Sequence, residues 1–222
     1  LSPVHGAPAG APRFGTLLPA MQPDEALYAA WRAGDSKAGA ELFERHYPAI
    51  ARFFRNKVDG DAPDLIQKTF LACLEGKEKN RGDSSFRTYL FAVAHNVLYK
   101  HFRGKVREGA RLDFGLTSVH DLQPTAATIL ARRREERLLL QGLRRLPLDH
   151  QVLLELYFWE KLTAKEIADI LATNEGTIRT RLRRAKQLLE QAMTALAEGD
   201  EALRDSLSNL DAWAAAVRAQ IG

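Results

Sequence analysis

The segment 162–189, LTAKEIADILATNEGTIRTRLRRAKQLL, constrains the fold of this chain more than any other stretch. Thr163 is followed three residues later by Glu166, which is the spacing of a capping box and marks the start of a helix. A short break at 172–174 ends with Asn174, a residue type that favours the position just before a new helix. Apolar residues then recur at helical spacing, at Ile178, Leu182, Ala185 and Leu189. The pattern predicts two helices joined by a tight turn, a helix-turn-helix.

The second of these helices carries many polar and cationic side chains away from its apolar stripe. They are Arg179, Thr180, Arg181, Arg183, Arg184 and Lys186. A rigid helix that is anchored on one side and presents forked donors on the other suits the major groove of DNA. A solvated amphipathic helix of an all-helical bundle is the alternative. The combination of a cap, a break and five cations in eight residues favours DNA binding.

The distribution of charge is more informative than its sum. The chain has 222 residues, of which 45% are hydrophobic, so we expect one or two domains with ordinary packed cores. Its formal net charge is only +4. Residues 175–190 hold five cations and two acids, whereas residues 191–222 hold two cations and five acids. A basic helix is therefore followed by an acidic tail.

Several kinds of site are disfavoured. Cys73 is the only cysteine, which excludes an intrachain disulfide and a zinc site built from cysteines, and its apolar helix predicts an inert buried thiol. The six histidines show no metal-ligand spacing, and there is no glycine-rich phosphate loop or nucleophile elbow. No apolar run has the length of a membrane span, and the N-terminal residues do not resemble a signal peptide. We expect a soluble cytoplasmic protein that is not an enzyme, with no cofactor, no metal and no membrane insertion.

Helical periodicity recurs along the chain without sustained period-two alternation, which predicts an all-α fold. Two small helical domains are expected, joined by a flexible linker and followed by a C-terminal amphipathic helix. The predicted divisions are a disordered proline-rich arm at 1–22, a first domain at 23–103, a linker at 104–124, a second domain at 125–195 and an acidic extension at 196–222.

A strong helix start lies within the first domain. Asp61 is predicted to cap this helix, Pro63 fits its first turn, and Asp64 favours the helix dipole. The apolar face of the same helix is predicted to hold Leu65, Ile66, Phe70, Leu71 and Leu74.

Three segments, in this order, carry a resemblance to a known family. They are DAPDLIQKTFLACLEG at 61–76, NRGDSSFRTYLFAVAHNVLYKHFR at 80–103 and RRLPLDHQVLLELYFWEKLTAKEIADILATNEGTIRTRLRRAKQLL at 144–189. Together they resemble a bacterial RNA polymerase sigma factor of the extracytoplasmic function (ECF) class. The resemblance implies a protein that binds core RNA polymerase and directs it to promoters. It leaves no room for the middle domain of larger sigma factors.

In this family the first segment faces the clamp of the polymerase's largest subunit. The residues that the resemblance carries over are Asp64, Leu65, Gln67 and Lys68. Asp64 and Gln67 lie off the predicted apolar stripe, which favours a surface role. For Leu65 and Phe70 a role in the core is the alternative. Lys68 stands where the family usually has an acid, so one charge at this surface is inverted.

The second segment resembles the part of sigma factors that melts the downstream (−10) promoter element. Extracting a base from the DNA stack costs a few kcal/mol, which a pocket for the base and cations along the displaced strand can offset. The implied pocket residues are Asn80, Arg81, Asp83 and Ser84, and the residues implied to follow the backbone are Arg87, Asn96, Lys100 and Arg103. Asp83 and Ser84 could also cap the helix that begins at Phe86. His95 replaces the arginine that is usual in the family.

The third segment resembles the region that reads the upstream (−35) promoter element. The resemblance implies that Thr180, Arg183 and Arg184 contact base edges. The phosphates would be held by Arg179, Arg181 and Lys186. Ala172 occupies a turn position where the family often has glycine.

The expected partners are core RNA polymerase and promoter DNA. The extension at 196–222 carries an apolar seam that has to be buried, because a helix this short is not stable alone in water. The seam consists of Leu203, Leu207, Leu210, Ala214, Val217 and Ile221. The open alternatives for it are packing on the second domain, holding the two domains together in an inactive state, masking of the DNA-binding surface, and binding of an anti-sigma factor. For the whole chain the alternative is a stand-alone helix-turn-helix transcriptional regulator that does not act through core polymerase.

Overall fold

The computed structural model describes residues 22–77, 84–105, 113–122 and 134–196. Within these ranges every regular element is an α-helix, and an isolated β-bridge joins Ser118 to Pro147. The all-α prediction is confirmed. None of the helices in the described ranges is both long and apolar enough to cross a membrane. Residues 1–21 of the expected arm at 1–22 and the seam beyond residue 196 lie outside the described residues.

The first group of helices forms a bundle around aromatic and aliphatic side chains. Its helices are α1 Asp24–Arg32, α2 Ser36–Arg55, α3 Ala62–Gly76 and α4 Phe86–Lys105. Helix α2 packs on α1 and α3, and α3 packs on α4. The core includes Leu42, Phe54 and Leu90, all fully buried. Gly39 allows the close approach of α1, because a Cβ atom there would lie 2.2 Å from Cδ1 of Trp31.

Helix α3 differs from its prediction at its start and on one face. Asp61 makes no capping hydrogen bond, because its carboxylate accepts one from Lys105 at 2.7 Å instead. Leu65 and Ile66 are buried as predicted, but Leu71 and Leu74 are each 48% exposed. The buried line continues through Thr69 and Cys73. Thr69 is accommodated because its hydroxyl donates to the carbonyl of Leu65 at 2.8 Å.

The second group contains the predicted helix-turn-helix. Its helices are α5 Val119–Leu122, α6 Arg134–Arg145, α7 Leu148–Phe158, α8 Ala164–Ile170 and α9 Glu175–Leu196. The predicted capping box is present, since the amide of Glu166 donates to Oγ1 of Thr163 at 3.2 Å and the amide of Thr163 donates to Oε2 of Glu166 at 2.8 Å. Asn174 accepts from the amide of Thr177 at 2.7 Å, as expected of a cap. Helices α6, α7 and α8 all pack on α9.

The segment expected to be a free linker, 104–124, is partly docked. Residues 104–105 end α4. Phe114 is buried with its ring centre 4.5 Å from that of Tyr99, and Val119 is fully buried. The amide of Leu148 donates to the carbonyl of Thr117 at 3.0 Å. These contacts arise between residues far apart in the chain, so local periodicity did not indicate them; residues 106–112 and 123–124 lie outside the described ranges.

Candidate nucleic-acid and polymerase interfaces

Helix α9 presents its cations on the side opposite its anchor. Its buried stripe is formed by Ile178, Leu182, Ala185, Leu189 and Met193. Successive helical residues are about 100° apart around the axis. On that geometry Thr180, Arg183 and Arg184 point away from the stripe, and all three are exposed. Arg179 and Lys186 lie at one edge of the stripe and Arg181 lies at the other, where they can reach the walls of a groove.

Within the described ranges, Arg181, Arg183 and Arg184 form no ion pair. Arg179 is paired with Glu175, whose Oε1 accepts from Nε at 3.1 Å. An ion pair this exposed contributes little to stability, so Arg179 can exchange it for a phosphate. The structure therefore places four arginines and one hydroxyl along a single accessible face, as a groove reader requires.

Lys186 has a different environment from the four arginines. Its Nζ lies 4.9 Å and 5.2 Å from the ring centres of Tyr157 and Phe158 on α7. These cation–π contacts hold the ammonium group beside the bundle. At the opposite edge, burial lowers the pKa of His150 on α7, the charge of Asp149 acts against that shift, and the charges of Arg181 and Arg184 add to it. His150 is therefore neutral at neutral pH.

Helix α4 carries the residues expected at the downstream element. Asn96, Lys100 and Arg103 are exposed, and the guanidinium of Arg103 lies 5.7 Å from the ring centre of Phe114. Arg87 is only partly exposed. Asn80, Arg81 and Asp83 lie outside the described residues, so their expected pocket stays a prediction.

The cap of α4 is supplied by a residue that sequence reasoning missed. Ser84 is half-buried and does not bond the helix, whereas the hydroxyl of Ser85 accepts from the amide of Thr88 at 3.1 Å. The signal was available, because Ser85 directly precedes the helix and serine is a favoured cap.

His95 does not replace the family's arginine as a cation. Its ring centre lies 4.0 Å from that of Tyr99. Burial lowers the pKa of His95, with Asp149 and Asn96 acting against that shift. Tyr99 in turn donates a hydrogen bond to Asp149. His95 therefore works as a neutral packing residue, and the backbone contacts expected of α4 rest on its other cations.

The outer face of α3 contains three of the four residues expected to contact polymerase. Asp64, Gln67 and Lys68 are exposed, and Lys68 pairs with Asp64 at 2.7 Å. Leu65 is 1% exposed, which favours the alternative of a core role over its expected contact with polymerase. It points along the inner line of the helix and forms part of the core instead.

Apolar side chains that sequence reasoning assigned to the core complete this outer face. Leu71 and Leu74 continue the line of Gln67 and Lys68 at helical spacing, and Tyr47 on α2 is exposed to the same 48%. Tyr47 stacks on Phe70 with ring centres 6.3 Å apart, and Phe70 is only partly buried. An exposed apolar surface with a polar rim is typical of a protein-binding site.

Comparison with known proteins identifies the family. A model described as Sigma-70 region 2 matches residues 42–108, and one described as Sigma-70, region 4 matches residues 136–189. The RNA polymerase sigma factor YlaC of Bacillus subtilis is 31% identical over 159 residues, which cover 69% of this chain and 91% of YlaC. This chain belongs to the sigma-70 family of RNA polymerase sigma factors. It is also 27% identical to the ECF RNA polymerase sigma-E factor of Haemophilus influenzae over 184 residues, which cover 78% of this chain and 96% of that protein.

Two solved structures share the fold. CnrH, in complex with the cytosolic domain of CnrY, superposes with a TM-score of 0.54 at 23% identity and covers 80% of this chain and 99% of CnrH. The sigma factor RpoE from Bartonella quintana, in complex with the anti-sigma factor NepR, gives a TM-score of 0.51 at 20% identity and covers 66% of this chain and 91% of RpoE. Sigma region 2 is matched at residues 42–108, and sigma region 4 is matched at residues 136–189.

Region 2 and region 4 of this sigma factor are packed together. Helix α4 of region 2 lies against α8 of region 4. Charged side chains of the two regions pair beside this contact. Arg52 and Arg87 of region 2 both donate to Glu160, which lies between α7 and α8. Lys57 of region 2 pairs with Glu155 on α7. Sequence reasoning missed this interface, because glutamates and lysines are usually exposed and nothing in their local pattern marks them as buried.

Proposed function

We propose that this ECF sigma factor divides promoter-specific initiation among three surfaces: α9 for the upstream element, α4 for the downstream element and the outer face of α3 for core polymerase. The observation that carries the proposal is the presence of regions 2 and 4 in one chain, each with an accessible surface of matching chemistry. A stand-alone helix-turn-helix regulator would not need region 2. The chain supplies the promoter address and leaves the chemistry of RNA synthesis to polymerase, so we propose no catalytic residue.

The upstream element is read in the major groove by α9. Thr180, Arg183 and Arg184 face outward and would contact base edges. Arg179, Arg181 and Lys186 surround them and would hold phosphates. Each good bidentate contact between an arginine and a guanine discriminates by about 1–3 kcal/mol, which suits a short promoter element.

The downstream element is opened along α4. Asn96, Lys100 and Arg103 are exposed on this helix and would follow the displaced strand. Arg87 would extend the same track near the start of the helix, beside the expected base pocket of Asn80, Arg81, Asp83 and Ser84. The aromatic rings of Phe91 and Tyr89 are not proposed to stack on bases. Phe91 is fully buried, and the hydroxyl of Tyr89 donates to the carbonyl of Cys73 at 3.2 Å.

Core polymerase is bound through α3. Asp64, Gln67 and Lys68 would form polar contacts with the clamp of the largest subunit, and Leu71 and Leu74 would provide the apolar area. Lys68 carries a positive charge where the family usually has a negative one. Its ion pair with Asp64 partly neutralises that charge, so the inversion changes the electrostatic attraction to polymerase less than an unpaired lysine would. An anti-sigma factor is a further proposed partner, and the acidic extension at 196–222 is its candidate binding segment.

Transcription in vitro tests the proposal. Purified core polymerase is given a pool of genomic promoters with and without the chain, and transcripts that depend on the chain are aligned by start site. We expect two shared promoter elements to emerge. The double variant Arg183→Ala/Arg184→Ala should lose these transcripts but still bind polymerase, whereas Gln67→Ala/Leu74→Ala should lose polymerase binding. Glu190→Ala, at an exposed position on α9, is the control and should behave like the parent.

Two outcomes would separate the alternatives. If transcripts appear only after deletion of residues 198–222, the extension inhibits the factor. If no variant supports transcription and the chain binds a palindromic site by itself, the stand-alone regulator is the correct reading.

A further inference from the structure

We infer that regions 2 and 4 hold this sigma factor closed through Glu155 and Glu160, and that Glu160 occupies the place of a DNA phosphate on Arg87. The inference rests on the proposed role of Arg87 at the downstream element. The first claim, that the two glutamates hold the regions together, does not depend on that role.

Glu160 is neutralised by cations from the other region. Glu160 is only 4% exposed to solvent. One carboxylate oxygen accepts from Nη2 and Nε of Arg52 at 2.9 Å and 3.3 Å, and the other accepts from Nη2 of Arg87 at 2.8 Å. Two guanidinium groups on one carboxylate resemble the way cations surround a phosphate. Arg87 is thus engaged by the kind of group that it would meet on DNA.

Glu155 is held by a second set of region 2 groups. Lys57 is fully buried, and its Nζ contacts Glu155, the carbonyl of Phe53 at 2.6 Å and the ring of Phe53 at 4.0 Å from the centre. Gln151 donates to the same carboxylate at 2.9 Å. Asn56 of region 2 donates to it as well, at 3.4 Å.

The buried ion pairs of this interface reduce the cost of opening it, although buried apolar side chains of both regions also belong to one core. Ion pairs that are buried between two surfaces lose their hydration, which offsets much of their attraction. When the regions separate, both partners regain water, whereas an apolar interface of the same area would expose its hydrophobic groups. Arg144 of region 4 follows the same pattern, since it donates to the carbonyl of Asn56 at 3.0 Å and lies 3.8 Å from Asp59.

Closure affects the three surfaces unequally. The outward cations of α9 and the outer face of α3 remain accessible. Arg87 is occupied, and region 4 is held on region 2 instead of being free to reach a distant promoter element. The closed form can therefore bind polymerase but cannot place both regions on a promoter until the contacts with Glu155 and Glu160 are broken.

The distance between the regions tests closure directly. Dyes are attached to the full-length chain at Lys37→Cys and Gln191→Cys, which are exposed positions on α2 of region 2 and on α9 of region 4. The native Cys73 is buried, and burial raises the pKa of its thiol to about 12, which disfavours labelling there. The variants Glu160→Gln and Arg52→Gln each remove one charge of the contact. We expect energy transfer to fall in both. Glu190→Gln makes the same charge change on an exposed part of α9 and should leave energy transfer unchanged.

Binding of a fluorescent dT20 oligonucleotide tests the competition at Arg87. If Glu160 occupies Arg87, Glu160→Gln should bind dT20 about tenfold more tightly than Glu190→Gln, because the apparent affinity follows the fraction of competent protein. The comparison removes the general effect of one lost negative charge. Transcription is not measured here, and the energy-transfer readout does not depend on the proposed role of Arg87 in DNA binding, so failure of the proposed function would leave the test of closure intact.

Each result has a defined consequence. Unchanged energy transfer in folded Glu160→Gln and Arg52→Gln would overturn closure by these residues. Lower energy transfer without tighter dT20 binding would overturn the competition at Arg87. If Glu160→Gln does not fold, as judged by circular dichroism, Arg52→Gln decides closure, because Arg52 is more exposed and lies outside the proposed DNA-binding residues.

Discussion

Ala172 shows how a single residue carries backbone strain in the turn of the helix-turn-helix. Its φ angle is 48°, in the left-handed region. A residue with a Cβ atom costs roughly 1–2 kcal/mol in that region, whereas glycine adopts it without strain. The resemblance to the ECF class already indicated that glycine is the usual residue here, and the φ angle supplies the physical reason.

We therefore predict that Ala172→Gly stabilises the protein. The gain is reduced by the greater freedom of glycine in the unfolded chain, so about 0.5–1 kcal/mol is expected. Urea unfolding monitored by circular dichroism measures it. Ala33→Gly is the control, because Ala33 is also exposed and follows a helix but has a φ angle of −74°. A gain at Ala172 no larger than that at Ala33 would contradict the strain argument.

The outward and edge positions of α9 predict different effects on DNA binding. Arg183→Ala should weaken binding to the upstream element by about 1–3 kcal/mol and relax specificity at one base pair. Arg181→Ala should weaken binding to all sequences alike. It should also reduce the slope of the logarithm of the binding constant against the logarithm of the salt concentration by about one, which corresponds to the loss of one phosphate contact. Titrations of specific and scrambled duplexes at several salt concentrations distinguish the two. Equal loss on both duplexes for Arg183→Ala would argue against base contact.

At the scale of elements, the helices were largely predictable but their faces were less so. Caps and breaks act over a few residues, which is why the predictions for α8 and α9 agree with the structure. The buried side of α3 was predicted incorrectly at Leu71 and Leu74, because the sequence offers leucines at positions on both sides of the helix. The side that faces α4 is determined by the neighbour, which leaves Leu71 and Leu74 exposed.

The close approach of α1 and α2 leads to a prediction at Gly39. Gly39→Ala would place a Cβ atom 2.2 Å from Cδ1 and 2.5 Å from Nε1 of Trp31, which is tightly packed in the core. Overpacking of this kind costs about 1–3 kcal/mol, and chemical denaturation measures the loss. Gly104→Ala in α4 meets no atom within 4 Å and is the matched control. It should be neutral or stabilising by up to about 1 kcal/mol; a similar loss in both variants would point to a cause other than the contact with Trp31.

For the whole molecule, three histidines predict a loss of stability in mild acid. Burial lowers the pKa values of His95, His101 and His150 from their ordinary value of 6.5. Above that pH neither the folded nor the unfolded chain binds the protons. As the pH falls through 6.5 the unfolded chain takes them up first, so the free energy of unfolding decreases, by at most about 1.4 kcal/mol per pH unit for each histidine.

Urea unfolding at pH 7.5 and 5.5 measures this dependence. The lowered pKa values of Asp24 and Asp61 do not interfere, because those carboxylates stay ionised until the pH approaches 3.8. A variant with glutamine at all three histidines should show a flatter profile. Equal stability of the parent at both pH values would show that burial does not shift these histidines as described.

The helices, the helix-turn-helix, the family and the cationic face of α9 could be predicted from local patterns, because caps, turn residues and helical spacing act over one or two turns of chain. The packing of the folded chain was needed to show which face of α3 is exposed, that residues 113–122 are docked and that Arg87 and Lys57 are engaged by glutamates of region 4. Arg87 and Glu160 are 73 residues apart in the chain, and Lys57 and Glu155 are 98 apart. Pairing at that separation depends on how the helices pack, and the local pattern around each residue does not encode it.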